Sequence, residues 1–139
     1  MTHHHHSIRD AMTTNPTTVE PGASIQDAAR RMLSDDVGAL PIVEGERLVG
    51  MVTDRDIAVR AVAEGRFDAT VGEIASKDIV SVDPQQSLDE AARLMGQHQL
   101  RRLPVCEEDG RLVGILAQAD VATSGHDELT GEVVEQISQ

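Results

Sequence analysis

The chain has 139 residues and carries 24 acidic against 12 basic side chains, so its formal net charge is -12. This charge opposes polyanionic partners and argues against nucleic acid binding. Phe67 is the single aromatic residue, which also excludes stacking of nucleic acid bases on a set of aromatic rings.

The first residues of the sequence and its hydropathy pattern indicate where in the cell the protein is located. The histidines at positions 3–6, within residues 1–6, are interpreted as an expression tag or a disordered arm, because adjacent histidines impose no defined coordination geometry. No stretch of about 18 apolar residues and no charged-then-apolar leader is present, so neither a membrane partner nor a secretory signal is expected. The single cysteine, Cys106, excludes an intrachain disulfide. We expect a cytoplasmic protein.

The first half of the chain, residues 7–66, predicts the order strand, helix, strand, strand, helix. A short segment leads into an extended piece that ends at Pro21, because proline stops strand pairing. Ser24 and Asp27 form a capping pattern at the start of an apolar series with helical spacing. This pattern predicts the first helix.

A β-hairpin and a second helix complete this half. The short apolar runs at 39–43 and 48–52 are joined by a turn that contains Gly45, which is typical of two buried strands. The second helix is predicted from 54 to about 63, where apolar residues again recur at helical spacing.

The second half of the chain repeats the first. The pattern Val-acid-Pro at 19–21 returns 63 positions later at 82–84, and Arg-Leu-Val-Gly also recurs after one inserted residue. A unit repeated in this way cannot bury its apolar face alone. We therefore predict an α+β fold in which the first copy, 7–66, and the second copy, 70–125, pack around a pseudo-twofold cleft.

Two further expectations concern apolar surface. The tail at 126–139 carries Leu129, Val133 and Ile137 at helical spacing, which predicts a short helix that packs on the module or on a partner. Two short copies also leave more apolar helix surface, such as the face that carries Ile25, Ala29 and Met32, than one small module can cover, so a homodimer is expected.

The strongest candidate for a binding site is the strand-to-helix junction of the first copy. A helix amino end presents unpaired backbone N–H groups and the positive end of the dipole, which together attract anions. The Thr53 hydroxyl can donate to a phosphate oxygen, Arg55 can pair with it, and Asp56 can accept from the hydroxyls of a ribose. Thr53 and Asp56 also match a capping box, which needs no ligand, so both interpretations stay open.

The second copy changes the equivalent residues. Ala117 replaces the threonine while Asp120 remains, which suggests that the aspartate has a task besides capping. Arg101 and Arg102 stand where the first copy has glycine and alanine. The second junction therefore gains cations where it loses a hydroxyl.

The doubled pattern resembles a pair of CBS domains, also called a Bateman module. The motifs are Gly-Ala-Leu-Pro-Ile-Val and Arg-Leu-Val-Gly-Met-Val-Thr-Asp-Arg-Asp-Ile in the first copy and Arg-Leu-Pro-Val in the second. The resemblance covers about residues 7–125, and the chain is similar to small stand-alone bacterial CBS proteins of the hypoxic response protein type.

This resemblance implies that an adenosine-containing ligand, such as AMP, ADP, ATP or S-adenosylmethionine, binds in the cleft between the copies. The phosphate and ribose positions of the family match Thr53 and Asp56, and the ribose position of the second site matches Asp120. Family modules commonly pair into homodimers through their helices. Other positions that match contacts to phosphate, base or sugar are Thr18, Ser81, Arg101 and Arg102.

The sequence contains no P-loop, no cysteine-histidine metal spacing and no order of nucleophile and base, so we expect no enzyme, no metal site and no covalent cofactor. Two hypotheses remain. The protein is either a regulatory module that responds to an adenosine ligand and acts on an unknown regulated protein, or a ligand-free dimeric interaction or stress-associated scaffold.

Overall fold

The computed structural model describes residues 7–123, which form two compact units. The inserted unit comprises residues 17–79, and the outer unit combines 7–16 with 80–123. These units do not coincide with the two sequence copies, because the leading segment of each copy packs within the other unit. The predicted tail helix and the histidine run lie outside the described residues.

Eleven helices and strands account for the regular structure of these residues. In chain order they are α1 at Ile8–Ala11, β1 at Thr13–Thr14, α2 at Ile25–Asp35, β2 at Ala39–Glu44, β3 at Arg47–Thr53, a π-helix at Asp56–Val62, α3 at Val71–Ile74, α4 at Leu88–His98, β4 at Arg102–Cys106, β5 at Leu112–Ala117 and α5 at Gln118–Thr123.

The inserted unit is built on an antiparallel hairpin of β2 and β3. Its extended piece lies beside β2, where Val19 forms a parallel bridge with Ile42. The helix predicted from 54 is present, but seven of its residues adopt the wider π form, in which the Ala63 N–H donates to the Ala58 carbonyl at 2.9 Å. Apolar spacing does not distinguish this form from an α-helix.

The outer unit repeats this hairpin with β4 and β5, and β1 adds to the far side of β5. Val82 forms a parallel bridge with Val105, equivalent to the bridge of the inserted unit. The mixed arrangement of helices and strands in each unit confirms the predicted α+β class.

Serine caps begin the two long helices, as the sequence predicts. The Ser24 hydroxyl accepts from the backbone N–H of Asp27 at 3.0 Å, and the Ser87 hydroxyl accepts from that of Glu90 at 3.1 Å. Each cap satisfies one of the otherwise unpaired donors of the first helical turn. Both α2 and α4 therefore begin at equivalent positions of the two copies.

Reciprocal backbone pairing joins each leading segment to the other copy. The Ile8 N–H donates to the Gln86 carbonyl at 2.8 Å, and the equivalent Val71 N–H donates to the Ala23 carbonyl at 2.9 Å. These bonds place α1 in the outer unit and α3 in the inserted unit. The leading segments, residues 7–16 and 70–79, are thus exchanged, and each completes the fold of the other copy. No local sequence pattern indicates this exchange.

The close approach of β1 to β5 requires glycine at position 114. A Cβ at Gly114 would lie 2.9 Å from the Thr13 carbonyl oxygen and 2.7 Å from the Met12 sulfur. The first of these atoms belongs to the backbone of the exchanged segment and cannot move without breaking the pairing of Thr13 with Ile115. The recurring Gly of the Arg-Leu-Val-Gly motif therefore serves the exchange in the outer unit.

Apolar side chains fill a separate core in each unit. The core of the inserted unit includes Leu40 and Val52, and that of the outer unit includes Ile8 and Leu103. At the end of β4, burial and then the nearby Asp109 carboxylate raise the pKa of the Cys106 thiol to about 11, so this thiol is protonated near neutral pH. Across residues 7–123, no helix has the length and apolar character needed to cross a bilayer.

The exchange predicts that Ile8→Ala destabilises the protein strongly, although Ile8 lies far in sequence from its neighbours. Ile8 is fully buried, and truncation of such a side chain costs about 2–5 kcal/mol. Urea unfolding followed by circular dichroism measures this loss. Leu33→Ala is the matched control because Leu33 is 83% exposed, so an equally small effect of both changes would contradict the exchange.

Candidate functional site

The first junction is the point where β3 meets the helix that follows it, and it comprises residues 53–56 with residues 38–39 opposite. The Thr53 N–H donates to Asp56 Oδ2 at 2.9 Å, and the Asp56 N–H donates to Thr53 Oγ1 at 3.0 Å. These reciprocal bonds form a complete capping box. The capping interpretation of the two residues is therefore realised in the structure.

The carboxylate of Asp56 is held in a defined orientation. Its Oδ1 lies 3.7 Å from Nε of Arg60, one helical turn further on, and its side chain is 13% exposed. Arg60 is itself more than half exposed, so this ion pair adds little stability but limits the rotation of the carboxylate. Asp56 thus presents a largely buried, fixed acceptor at the start of the helix.

Asp54 and Arg55, the other two residues at this helix start, are charged and exposed. The Asp54 N–H donates to the Gly38 carbonyl at 2.9 Å, which ties the start of the helix to the residue before β2. Arg55 is exposed and makes no ion pair within residues 7–123. Its guanidinium is therefore available to an anion at this junction.

The second junction lies where β5 meets α5, and it comprises residues 117–120 with residues 101–102 opposite. The Ala117 N–H donates to Asp120 Oδ2 at 2.7 Å, which is one half of a capping box. Capping alone therefore accounts for the retention of Asp120 without its hydroxyl partner. The ribose role expected of Asp120 stays a prediction beside this capping role.

The hairpin register shows that the differences between the junctions are paired across the strands. Thr53 lies opposite Ala39 in the first copy, whereas Ala117 lies opposite Arg102 in the second. The second junction therefore has a guanidinium on one strand where the first junction has a hydroxyl on the opposite strand. Arg102, one of the two cations predicted for the second junction, lies directly opposite the position that lacks the hydroxyl.

Thr18 and Ser81 lie at the same sheet ends as the junctions of their own units. Each precedes a valine that bridges in parallel to the first strand of the hairpin, Val19 to β2 and Val82 to β4. Because each bridge is parallel, the residue before the valine lies towards the start of β2 or β4. This is the end of each sheet at which β3 or β5 ends. The backbone carbonyl of Thr18 accepts from Nη1 of Arg31 at 3.3 Å, so this segment is also anchored to α2.

Gln118 is a residue of the second junction that sequence reasoning missed. Its backbone N–H donates to the Arg101 carbonyl at 2.8 Å, and its side-chain Nε2 is buried with no hydrogen-bond partner among the described residues. The signal in the sequence is the change from Asp54 in the first copy to Gln118 in the second. Within the same part of the chain, no three histidine, cysteine or acidic side chains are grouped to hold a metal ion.

Comparison with known proteins supports the repeat. The model of the CBS domain matches residues 8–62 and 71–127. CBS domain-containing protein YhcV of Bacillus subtilis is 49% identical over 119 residues, 85% of this chain and 84% of that protein. Hypoxic response protein 1 of Mycobacterium tuberculosis is 44% identical over 119 residues, 84% of this chain and 82% of that protein. The predicted resemblance is confirmed.

Solved structures agree with this result. The crystal structure of Hypoxic Response Protein I with two coordinated zinc ions has a TM-score of 0.76 at 42% identity, covering 85% of this chain and 98% of that chain. CBSX2 in complex with AMP has a TM-score of 0.77 at 29% identity, covering 88% and 98%. The CBS domain pair of protein MJ0100 with 5′-methylthioadenosine and S-adenosyl-L-methionine has a TM-score of 0.78 at 27% identity, covering 88% and 98%.

The difference in capping predicts opposite effects of two matched substitutions. Thr53→Ala removes the hydroxyl that accepts from the Asp56 N–H, which should lower the free energy of unfolding by about 0.5–2 kcal/mol. Ala117→Thr completes the box around Asp120 and should raise that free energy by up to about 1 kcal/mol. Urea unfolding of both variants measures the difference, and effects of the same sign would contradict the capping geometry.

Proposed function

Because the chain belongs to the CBS-domain family, we propose that it is a regulatory module without catalytic activity, which binds an adenosine-containing ligand at its two junctions. The observation that carries the proposal is the point in each copy where a strand ends and a capped helix begins, because hydrogen-bonding and charged side chains meet there. Similar structures hold AMP, or 5′-methylthioadenosine with S-adenosyl-L-methionine. AMP, ADP, ATP and S-adenosylmethionine are therefore the ligands proposed for this chain.

Capping at the first junction leaves the atoms that a ligand needs. Thr53 Oγ1 uses a lone pair to accept from the Asp56 N–H, so its own hydroxyl proton remains able to donate to a phosphate oxygen. Asp56 accepts from Thr53 through Oδ2, and its carboxylate has lone pairs left for the two hydroxyls of a ribose. Capping and ligand binding are therefore compatible roles of the same two residues.

The other proposed contacts follow from their positions. Arg55 at the first junction and Arg101 and Arg102 at the second would pair with phosphate, to which a guanidinium can donate two parallel hydrogen bonds. Asp120 would accept from a ribose in the second copy. Thr18 and Ser81, at the sheet ends, would line the base or sugar. The single cysteine, which forms no disulfide, fits the proposed cytoplasmic location.

A homodimer is part of the proposal, and it is also the core of the alternative function, a ligand-free interaction scaffold. Of the α2 face expected to form this contact, Ile25 and Met32 are buried in the inserted unit and are not available to a partner, whereas Ala29 is exposed. The large apolar side chains that are exposed among residues 7–123, called here the exposed apolar group, all belong to this unit, and they support an interface with a second copy. They are Leu33, Val59, Val62 and Phe67.

Ligand binding predicts a rise in melting temperature that depends on Asp56 and Asp120. A ligand at about 100 times its dissociation constant stabilises the native state by about 2.7 kcal/mol. The test measures the shift caused by AMP, ADP, ATP and S-adenosylmethionine in wild type, Asp56→Asn, Asp120→Asn and the double variant. Asparagine keeps an oxygen that can cap the helix but lacks the charge, so each change should reduce the shift without unfolding the protein.

Each variant serves as its own reference, because its shift is compared with its own melt without ligand. The double variant should lose nearly all of the response. A full response of the double variant would overturn the ribose role of both carboxylates, and no response of wild type to any of the four compounds would favour the scaffold.

The homodimer predicts a mass of about twice the 15.0 kDa of one chain in light scattering at micromolar protein concentration. Leu33→Glu should shift this mass towards that of the monomer, because it places a charge within the exposed apolar group. Ser34→Glu is the matched control, since it adds the same charge at the adjacent exposed position. A monomeric wild type would exclude the dimer, and equal effects of both variants would exclude this surface.

A further inference from the structure

Arg60 joins the first junction to the exchanged segment 70–79. Its Nε lies 3.7 Å from Oδ1 of Asp56, and its Nη1 donates to the backbone carbonyl of Ile74 at 3.4 Å. Ile74 ends α3, and the carbonyls of a last helical turn have no partner within their own helix. A guanidinium has several donors in a fixed plane, so one side chain can hold both acceptors. Arg60 thus contacts the carboxylate of the first copy and the segment that the second copy supplies.

The helix that carries Asp56 and Arg60 is in the π form and packs against α3. Helical turns of this form are rare and occur frequently at functional sites. Shortly after this helix, Nη2 of Arg66 lies 3.1 Å from Oε2 of Glu73, which also belongs to α3. Two arginines therefore hold the same short helix. Within residues 7–123, the ion pair with Asp56 is made by Arg60 and not by Arg66.

The second copy differs at the positions that make this connection. The residue equivalent to Arg60, four positions after Asp120, is Ser124, which carries no charge. In α1, the counterpart of α3, Arg9 pairs instead with Glu107 just after β4, at 3.3 Å. A guanidinium between the carboxylate and the exchanged segment is therefore a property of the first junction.

We propose that Arg60 is a positioning residue through which a ligand at the first junction stabilises the exchanged segment 70–79. This inference rests on the proposed function and deepens it, because it names the contact that transmits occupancy. A ribose that donates to Asp56 fixes the carboxylate in one orientation, which lowers the entropic cost of holding Arg60 against the Ile74 carbonyl. By thermodynamic linkage, a segment held in this way raises the affinity for the ligand by the same factor. The first junction thus reports its occupancy to a segment of the other copy.

A double-mutant cycle in the full chain without ligand tests the connection itself. Amide hydrogen exchange of residues 71–79, followed by mass spectrometry, measures the local opening of the segment. Asp56→Asn should speed this exchange about two- to fivefold, the effect of one partly exposed ion pair, and should have no further effect when Arg60→Met is present. Arg66→Met is the matched control, because Arg66 holds α3 through Glu73. Equal effects of Asp56→Asn with Arg60, with Arg60→Met and with Arg66→Met would overturn the inference.

AMP and S-adenosylmethionine then test whether a ligand uses this connection. Either compound should slow the exchange of residues 71–79 about two- to fivefold in wild type and in Arg66→Met but not in Arg60→Met, and titration calorimetry should show the same loss of affinity in Arg60→Met. Arg60→Lys keeps the charge and should restore part of both effects. Binding that depends on Asp56 yet leaves this exchange unchanged would overturn the inference. A wild type that binds neither compound, or binds both independently of Asp56, would contradict the proposed function instead.

Discussion

Two equivalent backbone hydrogen bonds, from Ile8 to Gln86 and from Val71 to Ala23, hold the exchanged segments, and the rest of the structure depends on this exchange. Neither copy completes its unit with its own leading segment. The entropic cost of such distant pairing is moderate, because the cost of closing a loop grows only with the logarithm of its length. The pairing is non-local, however, so it forms only after most of the chain is available.

The exchange also holds the strands that carry the candidate site. β5, which ends at Ala117, lies between β4 and the exchanged β1, and β3, which ends at Thr53, is bridged at Met51 to the exchanged Ser76. A strand paired on both sides resists a shift in register, since a shift of one residue would turn every side chain to the other face. The junctions are thereby preorganised by segments that contribute none of the proposed ligand contacts.

Sequence patterns predicted what depends on neighbours along the chain. The serine caps, the hairpins and the capping box of Thr53 and Asp56 each involve residues only a few positions apart, and all are present. The exchange could not be predicted, because Gly114 contacts a segment about a hundred residues away and nothing near it in sequence indicates the partner. The buried amide of Gln118 was missed for a related reason, since the burial of one atom depends on packing and not on residue type.

The discontinuity of the outer unit has a consequence for any protein joined to this chain. Residues 7 and 123 both belong to that unit, whereas the inserted unit is connected to it covalently at 16–17 and at 79–80. A domain fused directly to residue 7 or to residue 123 would therefore be joined covalently to the outer unit. Circular permutation that places the new ends in the inserted unit would join a fused domain to the inserted unit instead. The choice of ends therefore decides whether a fused reporter is attached to the unit with the first junction or to the unit with the second.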